Sequence, residues 1–308
     1  MTAIDPASTP SVPAAAATAT RQVVVFTDST TYVPDETYER LGVHQVGLYV
    51  GWDGQLEPEK DWTDLGAFYR RLADSSSLPT TSQPSVGDFE AAYRPVLESG
   101  CDIVSVHIAA GISGTCESAR EAARSLAAQG VEGRVEVVDA QTGAGALGCI
   151  VLAAASSAGL GADATAVVAE ARRARESLAM WFCLDTLEYL RRGGRIGAAQ
   201  ALVGSALKVK PILTFGTEIT PVDKVRTKAR ALRRMLSYLE VLRDREATDW
   251  IVQHAQSPVD AAWLVERGEA ILGRPPLFCT EVGPVLGAHL GSGLLLGGIG
   301  LRPADDGA

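Results

Sequence analysis

The chain has 308 residues, of which 46% are hydrophobic and 21% are charged. This length favours two domains, and this composition is typical of ordinary globular proteins rather than of disordered or fibrous ones. The 37 acidic and 28 basic residues give a formal net charge of −9. Such a charge repels a phosphate backbone, and no basic stripe with interleaved aromatic residues is visible, so we expect no nucleic-acid partner.

Residues 1–20 predict a disordered tail, because they are rich in Ala, Thr, Pro and Ser and contain no continuous apolar stretch. They also lack the basic start of a secretory signal. The five cysteines are odd in number and widely spaced, which fits neither a disulfide framework nor a zinc site. We therefore expect a cytoplasmic protein without an integral membrane segment.

From residue 21 to residue 160, strand-like and helix-like segments alternate, which predicts an N-terminal α/β domain on a mostly parallel sheet. The strand-like segments are VVVFTDS, VHQVGLYVGW, DIVSVHIA and VEVVDA. The helix-like segments are DETYERL, TDLGAFYRRLADS, VGDFEAAYRPVLES and TCESAREAARSLAAQ. The apolar run 144–160 follows them and is short for a bilayer span. Its many small residues predict a tightly packed internal helix instead.

Small and hydroxyl-bearing residues follow three of the predicted strands, in segments 27–31, 111–115 and 141–145. Turns of this composition expose backbone N–H groups and hydroxyls, which suit an oxyanion. In an open α/β sheet, ligands bind outside the carboxyl ends of the strands. The sequence therefore predicts an anion-binding site at this edge of the sheet.

Residues 161–308 follow a less regular order, which predicts a C-terminal α+β domain with a mainly antiparallel sheet. The helix-like segments are VVAEARRARESLA, ALRRMLSYLEVLRDRE and DAAWLVERGEAIL. In RRGGRIG, residues 191–197, the two glycines predict a helix end and a turn from which Arg195 can reach an anion. We expect the ligand to lie in a cleft between the two domains.

The segment TTSQPS, residues 80–85, has two interpretations. The proline makes the preceding backbone extended, so Thr81 and Ser82 can project from a stiff loop toward a ligand. Alternatively the segment serves as a helix entry, with Ser85 as the cap.

The segment GISGT, residues 111–115, is equally open. Ser113 or Thr115 can cap the following helix, whereas Gly114 allows a ligand to approach closely. A nucleophilic serine fits less well, because Thr115 stands where the G-x-S-x-G elbow requires its second glycine.

Asp28 and Ser29 begin a DST segment that resembles a phosphatase-like aspartate loop, but the second carboxylate expected for magnesium is missing. Asp28 is therefore predicted to be a cap or turn former. His289 precedes Gly291, Ser292 and Gly293 in surroundings that suit a side chain aimed into a cleft, with a surface-loop histidine as the alternative. The remaining histidines have no metal-ligand spacing and are expected to be structural: His44, His107 and His254.

Eight short blocks, taken in order, resemble the DegV family of bacterial fatty-acid-binding proteins. They are VVVFTDSTTYVP, TTSQPS, VHIAAGISGTCESA, VVDAQTGAGALG, LDTLEYLRRGGRIG, LKVKPIL, KVRTKARAL and GAHLGSG. The resemblance covers nearly the whole chain after the tail. It implies a two-domain α/β protein in which an acyl chain is buried in a tunnel and its carboxylate is held near the domain interface.

The same resemblance implies that Thr81, Ser113 and His289 hold the carboxylate of a long-chain fatty acid. It implies a supporting set in the same blocks: Ser82, Gly114, Thr115, Asp28, Ser29, Arg195 and Gly291. The implied partner is an ATP-dependent fatty acid kinase subunit, which converts the bound carboxylate to acyl-phosphate for phospholipid synthesis. The protein itself would be non-catalytic, with no metal or cofactor. Since imidazole titrates near neutral pH, we also expect His289 to shift its charge as the phosphoryl group arrives.

Several residues depart from the family pattern around the expected head-group site. Ala109 and Ala110 stand where the family often has serines, and Ala288 replaces a frequent threonine before His289. Ser292 interrupts the common H-x-G-P-G loop. We therefore expect fewer head-group contacts. The alternatives are a serine-dependent hydrolase or acyltransferase using Ser113, and a carboxylate-ligand sensor.

Overall fold

The computed structural model describes residues 21–203, 209–244, 249–293 and 295–299. The predicted tail, residues 1–20, lies outside the described residues. The strands are β1 (Val23–Asp28), β2 (His44–Val46), β3 (Tyr49–Trp52), β4 (Gln55–Pro58), β5 (Thr80–Ser82), β6 (Asp102–His107), β7 (Val135–Asp139), β8 (Met180–Cys183), β9 (Lys210–Phe215), β10 (Ile219–Val225), β11 (Val252–His254), β12 (Cys279–Glu281) and β13 (Leu295–Ile299). The helices are α1 (Asp35–Leu41), α2 (Leu65–Asp74), α3 (Val86–Glu98), α4 (Thr115–Ala128), α5 (Ala144–Gly159), α6 (Ala164–Ser177), α7 (Glu188–Arg192), α8 (Lys228–Asp244), α9 (Pro258–Leu272) and α10 (Pro284–Leu290).

The first sheet is parallel, with strand order β2-β1-β6-β7. Alternate side chains of a strand point to opposite faces, so both faces of this sheet need cover. Phe26 and Ile103 belong to the cluster that includes α3 and α4, whereas Val25 and Val104 belong to the cluster that includes α5 and α6. This layered arrangement confirms the predicted α/β class.

The apolar run 144–160 forms helix α5, and its first eight residues are all buried. Gly145 and Gly148 allow neighbouring side chains to approach closely. An added Cβ would lie 2.2 Å from Ile251 Cδ1 at Gly145 and 2.5 Å from Val33 Cγ2 at Gly148. The prediction of a tightly packed internal helix is therefore confirmed. More widely, no helix in the described part of the chain combines the length and apolar character needed to cross a bilayer.

The second sheet has six strands in the order β10-β9-β8-β13-β11-β12. All neighbours are antiparallel except β11 and β12, which confirms a mainly antiparallel sheet. Helices α8 and α9 pack against it. The largest buried cluster contains side chains from both parts of the chain, such as Ile150 and Phe182. The division at residues 160 and 161 stays a prediction.

A third sheet, with strand order β4-β3-β5, interrupts the expected alternation of strand and helix. The single strand expected in VHQVGLYVGW is in fact β2 and β3, which belong to different sheets. The segment expected to be a stiff loop contains strand β5, in which Thr81 pairs with Val50. Backbone pairing with β3 thus fixes the position of Thr81.

Candidate ligand-binding site

A cavity of about 350 Å³ lies between the strand-end turns of the first sheet and the second sheet. This volume falls in the range of about 300–1,000 Å³ typical of ligand pockets. Most of its lining is apolar, and includes Ile108, Met180, Phe182, Leu190, Phe215 and Ile219. The polar side chains of the lining are Thr81, Ser82, Gln83, Ser113, Arg195 and His289. Such a cavity can enclose an apolar chain that carries one polar end.

Thr81 and His289 meet at this cavity although 208 residues separate them: Thr81 Oγ1 lies 2.9 Å from His289 Nε2. Strand β5 supplies the threonine and the last turn of α10 supplies the histidine. Ser113 lines the same cavity from the turn between β6 and α4. The three side chains expected to hold a carboxylate therefore share one cavity, with one direct hydrogen bond among them.

His289 lies in a helix, not in the flexible loop expected from the glycines that follow it. Pro284 is at the first helical position, and Gly291 ends the helix with a positive φ of 74°. Pro has a φ suited to a first turn and Gly tolerates the left-handed region, so both residues favour these bounds.

Burial, and then the cation of Arg195, lower the pKa of His289 to about 4. The imidazole is therefore neutral at neutral pH, and a change of its charge on arrival of a phosphoryl group stays a prediction. His289 Nδ1 is buried without a hydrogen-bond partner among the described residues. The turn at Gly193 lies against it, since an added Cβ there would be 2.6 Å from Nδ1.

The GISGT turn places the Ser113 hydroxyl both at the cavity and at the first turn of α4. Gly114, not Ser113 or Thr115, is the N-cap of α4, but Ser113 Oγ accepts the N–H of Thr115, the first helical residue, at 3.3 Å. Ser113 Oγ lies 2.8 Å from Thr115 Oγ1, and Thr115 is fully buried. In contrast, the cap predicted for Ser85 is confirmed, because its side chain accepts the N–H of Asp88 in a capping box.

Gln83 is a cavity residue that the sequence analysis missed. Its side chain lies over the GISGT turn, where an added Cβ at Gly114 would be only 2.7 Å from Gln83 Nε2. Its position between Ser82 and Pro84 could have indicated this role, because the segment TTSQPS was already a candidate for ligand binding. Gln83 adds amide donor and acceptor groups to the polar end of the cavity.

Arg195 lines the cavity from the turn that follows α7. The helix end predicted in RRGGRIG is confirmed, since α7 stops at Arg192 and Gly194 has a φ of 72°. Arg195 donates to the carbonyl of Gly193 at 2.6 Å and to that of Ile112 at 3.4 Å. A cation thus lies beside the GISGT turn at the polar end of the cavity.

Asp28 does not line the cavity, but it holds the end of the strand that leads to Ser113. It accepts hydrogen bonds from Thr30 N–H and Oγ1, at 3.1 and 2.5 Å, and from Ile108 N–H at 2.9 Å. Burial raises its pKa, yet the hydrogen bond from His107 and those from Thr30 and Ile108 outweigh burial and hold the pKa below its usual value. The prediction of a cap or turn former is confirmed.

Ser29 and Gly291, the other residues of the expected supporting set, also act away from the cavity. Ser29 Oγ donates to Glu59 and accepts the N–H of Leu48, a cavity residue. Gly291 leaves space for Tyr189, whose ring carbon Cδ2 would be 2.3 Å from an added Cβ. Ser29 thus supports a wall of the cavity, whereas Gly291 lets the end of α10 pack against Tyr189.

A Ser-His-Asp arrangement is present in the described residues, but not at Ser113. Ser105 Oγ lies 2.7 Å from His107 Nε2, and His107 Nδ1 lies 3.1 Å from Asp28 Oδ2. All three side chains are fully buried in the first sheet, where no substrate can reach them. Among the described residues, the Ser113 hydroxyl bonds Thr115 and makes no hydrogen bond to a histidine, so the geometry does not favour the hydrolase alternative.

No group of three or more His, Cys, Asp or Glu side chains that could hold a metal ion occurs in residues 21–203, 209–244, 249–293 and 295–299.

A family model described as "Uncharacterised protein, DegV family" matches residues 22–301. The chain belongs to the DegV family. It is 41% identical over 283 residues to the DegV domain-containing protein SCO2569 of Streptomyces coelicolor, an alignment that covers 89% of this chain and 97% of the relative.

Two solved DegV structures are similar to this fold along almost their whole length. One is a DegV family protein from Thermus thermophilus, with 32% identity, a TM-score of 0.80, and coverage of 91% of this chain and 99% of the other. The second is DegV from Bacillus subtilis, with 32% identity, a TM-score of 0.81, and coverage of 92% and 100%. Both are described as binding fatty acid, so fatty-acid binding occurs among DegV family proteins.

Proposed function

We propose that this protein binds a long-chain fatty acid, with the alkyl chain in the cavity and the carboxylate at Thr81, Ser113 and His289. A separate ATP-dependent fatty acid kinase subunit then phosphorylates the carboxylate, and the acyl-phosphate feeds phospholipid synthesis. The protein is thus a cytoplasmic, non-catalytic lipid-binding subunit. The observation that carries the proposal is the pairing of Thr81 with His289 at one place in a largely apolar cavity.

The two parts of the ligand contribute differently to binding. Burying a methylene contributes about 0.8 kcal/mol, so roughly fifteen of them supply on the order of 12 kcal/mol before ordering costs. A hydrogen bond to a charged group contributes only about 1.5–3 kcal/mol net. The apolar lining therefore sets the affinity, whereas the polar groups orient the carboxylate and prevent its burial without partners.

A neutral His289 fits this role. If Nε2–H donates to Thr81 Oγ1, the threonine hydroxyl proton is free to point at the carboxylate. The guanidinium of Arg195 balances the ligand charge without a change in the protonation of His289. Phosphorylation requires that a carboxylate oxygen attacks the γ-phosphate of ATP and that ADP leaves. A carboxylate held by hydroxyls keeps lone pairs for this attack.

Native mass spectrometry of the protein purified from bacteria tests the binding step. We expect a mass increase that matches a long-chain fatty acid and is lost after delipidation. Added palmitate should restore it. A delipidated protein that fails to bind palmitate while remaining folded would contradict the proposal.

Substitutions at the polar end test the position of the carboxylate. Thr81→Ala and Ser113→Ala should each weaken palmitate binding about tenfold, because each removes a hydrogen bond to a charged group. Acyl-phosphate formation with the kinase subunit should fall further. Thr80→Ala is the matched control, since Thr80 is exposed and adjacent in the same strand. Wild-type affinity in both site variants would remove these residues from the site.

A further inference from the structure

Helix α10 carries His289, yet its N-terminal donors are satisfied by side chains from the other end of the chain. Its N-cap residue, Gly283, offers no side chain. Instead Val285 N–H donates to Glu59 Oε1 at 2.8 Å, and Leu286 N–H donates to the hydroxyl of Tyr32 at 3.2 Å. The Tyr32 hydroxyl in turn donates to Glu59 Oε1 at 2.9 Å. Two residues of the N-terminal part thus form the cap of a helix that is more than 200 residues away in sequence.

The contact between these parts is close-packed. An added Cβ at Gly283 would lie 2.5 Å from Tyr32 Cε1 and 2.9 Å from Glu59 Oε1. One turn later, an added Cβ at Gly287 would lie 2.6 Å from the hydroxyl oxygen of Tyr69. Both glycines therefore let α10 lie directly against these side chains. Tyr32 also has a φ of 50°, a backbone conformation that an aromatic residue adopts only when its surroundings hold it.

Glu59 is buried although it does not line the cavity. Its side chain is only 6% exposed. Its other oxygen, Oε2, accepts a 2.5 Å hydrogen bond from Ser29, which also holds the N–H of Leu48. The acidic and phenolic groups that face it are Asp28, Tyr32 and Tyr69.

We propose that Glu59 is a positioning residue for the head-group site: it holds α10 against the N-terminal part and so sets the distance between His289 and Thr81. The helix has seven residues, or about two turns, so a loss of order at its first turn reaches His289 directly. Four of its residues line the cavity: Val285, Leu286, His289 and Leu290. This inference rests on the proposed fatty-acid function, because the head group is the ligand part that His289 would meet.

The test uses the full chain with ¹⁵N-labelled histidines, in which the His289 side-chain signals are assigned with a His289→Gln variant. Glu59→Ala should shift the His289 signals and weaken palmitate binding about tenfold, as expected for a lost helix cap together with donors left unpaired. Tyr32→Phe removes only the second cap and should weaken binding about threefold. Glu59→Gln keeps an acceptor for Val285 N–H and should restore both signals and affinity to within about twofold.

Glu57→Ala is the matched control, since Glu57 is exposed two residues earlier and should change neither readout. Wild-type His289 signals and wild-type affinity in both Glu59→Ala and Tyr32→Phe would overturn the inference. If Glu59→Ala does not fold, Tyr32→Phe decides alone. A wild-type protein that binds no palmitate would count against the proposed function instead, while the histidine signals still report whether Glu59 positions His289.

Discussion

Asp28 and Glu59 are two buried carboxylates near the same cavity, yet their surroundings shift their pKa values in opposite directions. Asp28 has a lowered pKa, because the hydrogen bond from His107 and several further donors outweigh burial. The pKa of Glu59 is raised to about 7, because burial outweighs its hydrogen bonds from Ser29, Val285 and Tyr32. A buried carboxylate thus keeps its charge only where partners replace the water that it loses.

The two carboxylates also support different sides of the candidate site. Asp28 holds Ile108, from which the chain enters the turn that carries Ser113. Glu59 holds the first turn of α10, which carries His289. One side of the site is therefore held by a carboxylate with a lowered pKa, and the other side by a carboxylate with a pKa of about 7.

The largest effect is expected at Asp28. Asp28→Asn replaces one acceptor oxygen by an amide and leaves His107 without its carboxylate, so we expect a loss of about 3–5 kcal/mol in the free energy of unfolding. Urea denaturation measures this loss. Asp74→Asn is the control, because Asp74 is exposed and should change stability by less than about 0.5 kcal/mol. A loss below about 1 kcal/mol for Asp28→Asn would show that the charge of Asp28 contributes little to stability, and the contrast with Glu59 would not hold.

A smaller, pH-dependent effect is expected at Glu59. Because its folded pKa of about 7 lies above the usual 4.5, the folded state binds more protons than the unfolded state in this window, and stability falls as pH rises through it. Glu59→Gln lacks this dependence. Its stability relative to wild type should therefore improve by on the order of 2 kcal/mol between about pH 5 and pH 8.

His289 contributes the opposite dependence, since its pKa is lowered to about 4 and its contribution is lost as pH falls below 6.5. This contribution is present in wild type and in Glu59→Gln, so it cancels in the difference between them. Urea denaturation of both proteins across this pH range provides the measurement. A difference that stays constant with pH would show that Glu59 does not titrate there.

The smallest effect is expected at Tyr93, the far end of the hydrogen-bonded chain that begins at Asp28 and His107. Tyr93 donates to Ser105 at 2.7 Å, and Ser105 bonds His107. Tyr93→Phe should cost about 1 kcal/mol of stability, the net value of one buried hydrogen bond, and should leave palmitate affinity unchanged. Thermal unfolding and a palmitate titration measure the two quantities. A clear loss of affinity would show that the network acts on the site as well as on the sheet.

The parallel sheet and helix α5 were predictable because their apolar patterns are local. Strand β5 was not, since only its pairing with β3 makes a strand of Thr80–Ser82. The helical position of His289 was missed for a similar reason. The first turn of its helix is capped by Glu59 and Tyr32. These residues are far away in sequence, so no local pattern near Gly283 indicates them.

The site was predicted unevenly for a related physical reason. Thr81, Ser113 and His289 were named from a family resemblance. Such a resemblance can indicate that residues far apart in sequence lie close together, whereas the periodicity of apolar residues indicates only local structure. Glu59 stands in the charged segment EPEKD, a composition typical of solvated surface, and its burial follows only from the packing of α10. Asp28 was recognised as a turn former, but its partner His107 lies 79 residues away.

A crystal structure of the palmitate complex tests the central claim most directly. We predict that the carboxylate lies within hydrogen-bond distance of Thr81 Oγ1 and Ser113 Oγ, with His289 still bonded to Thr81 and the alkyl chain against Met180 and Phe182. A carboxylate bound elsewhere, or an alkyl chain outside this cavity, would contradict the account.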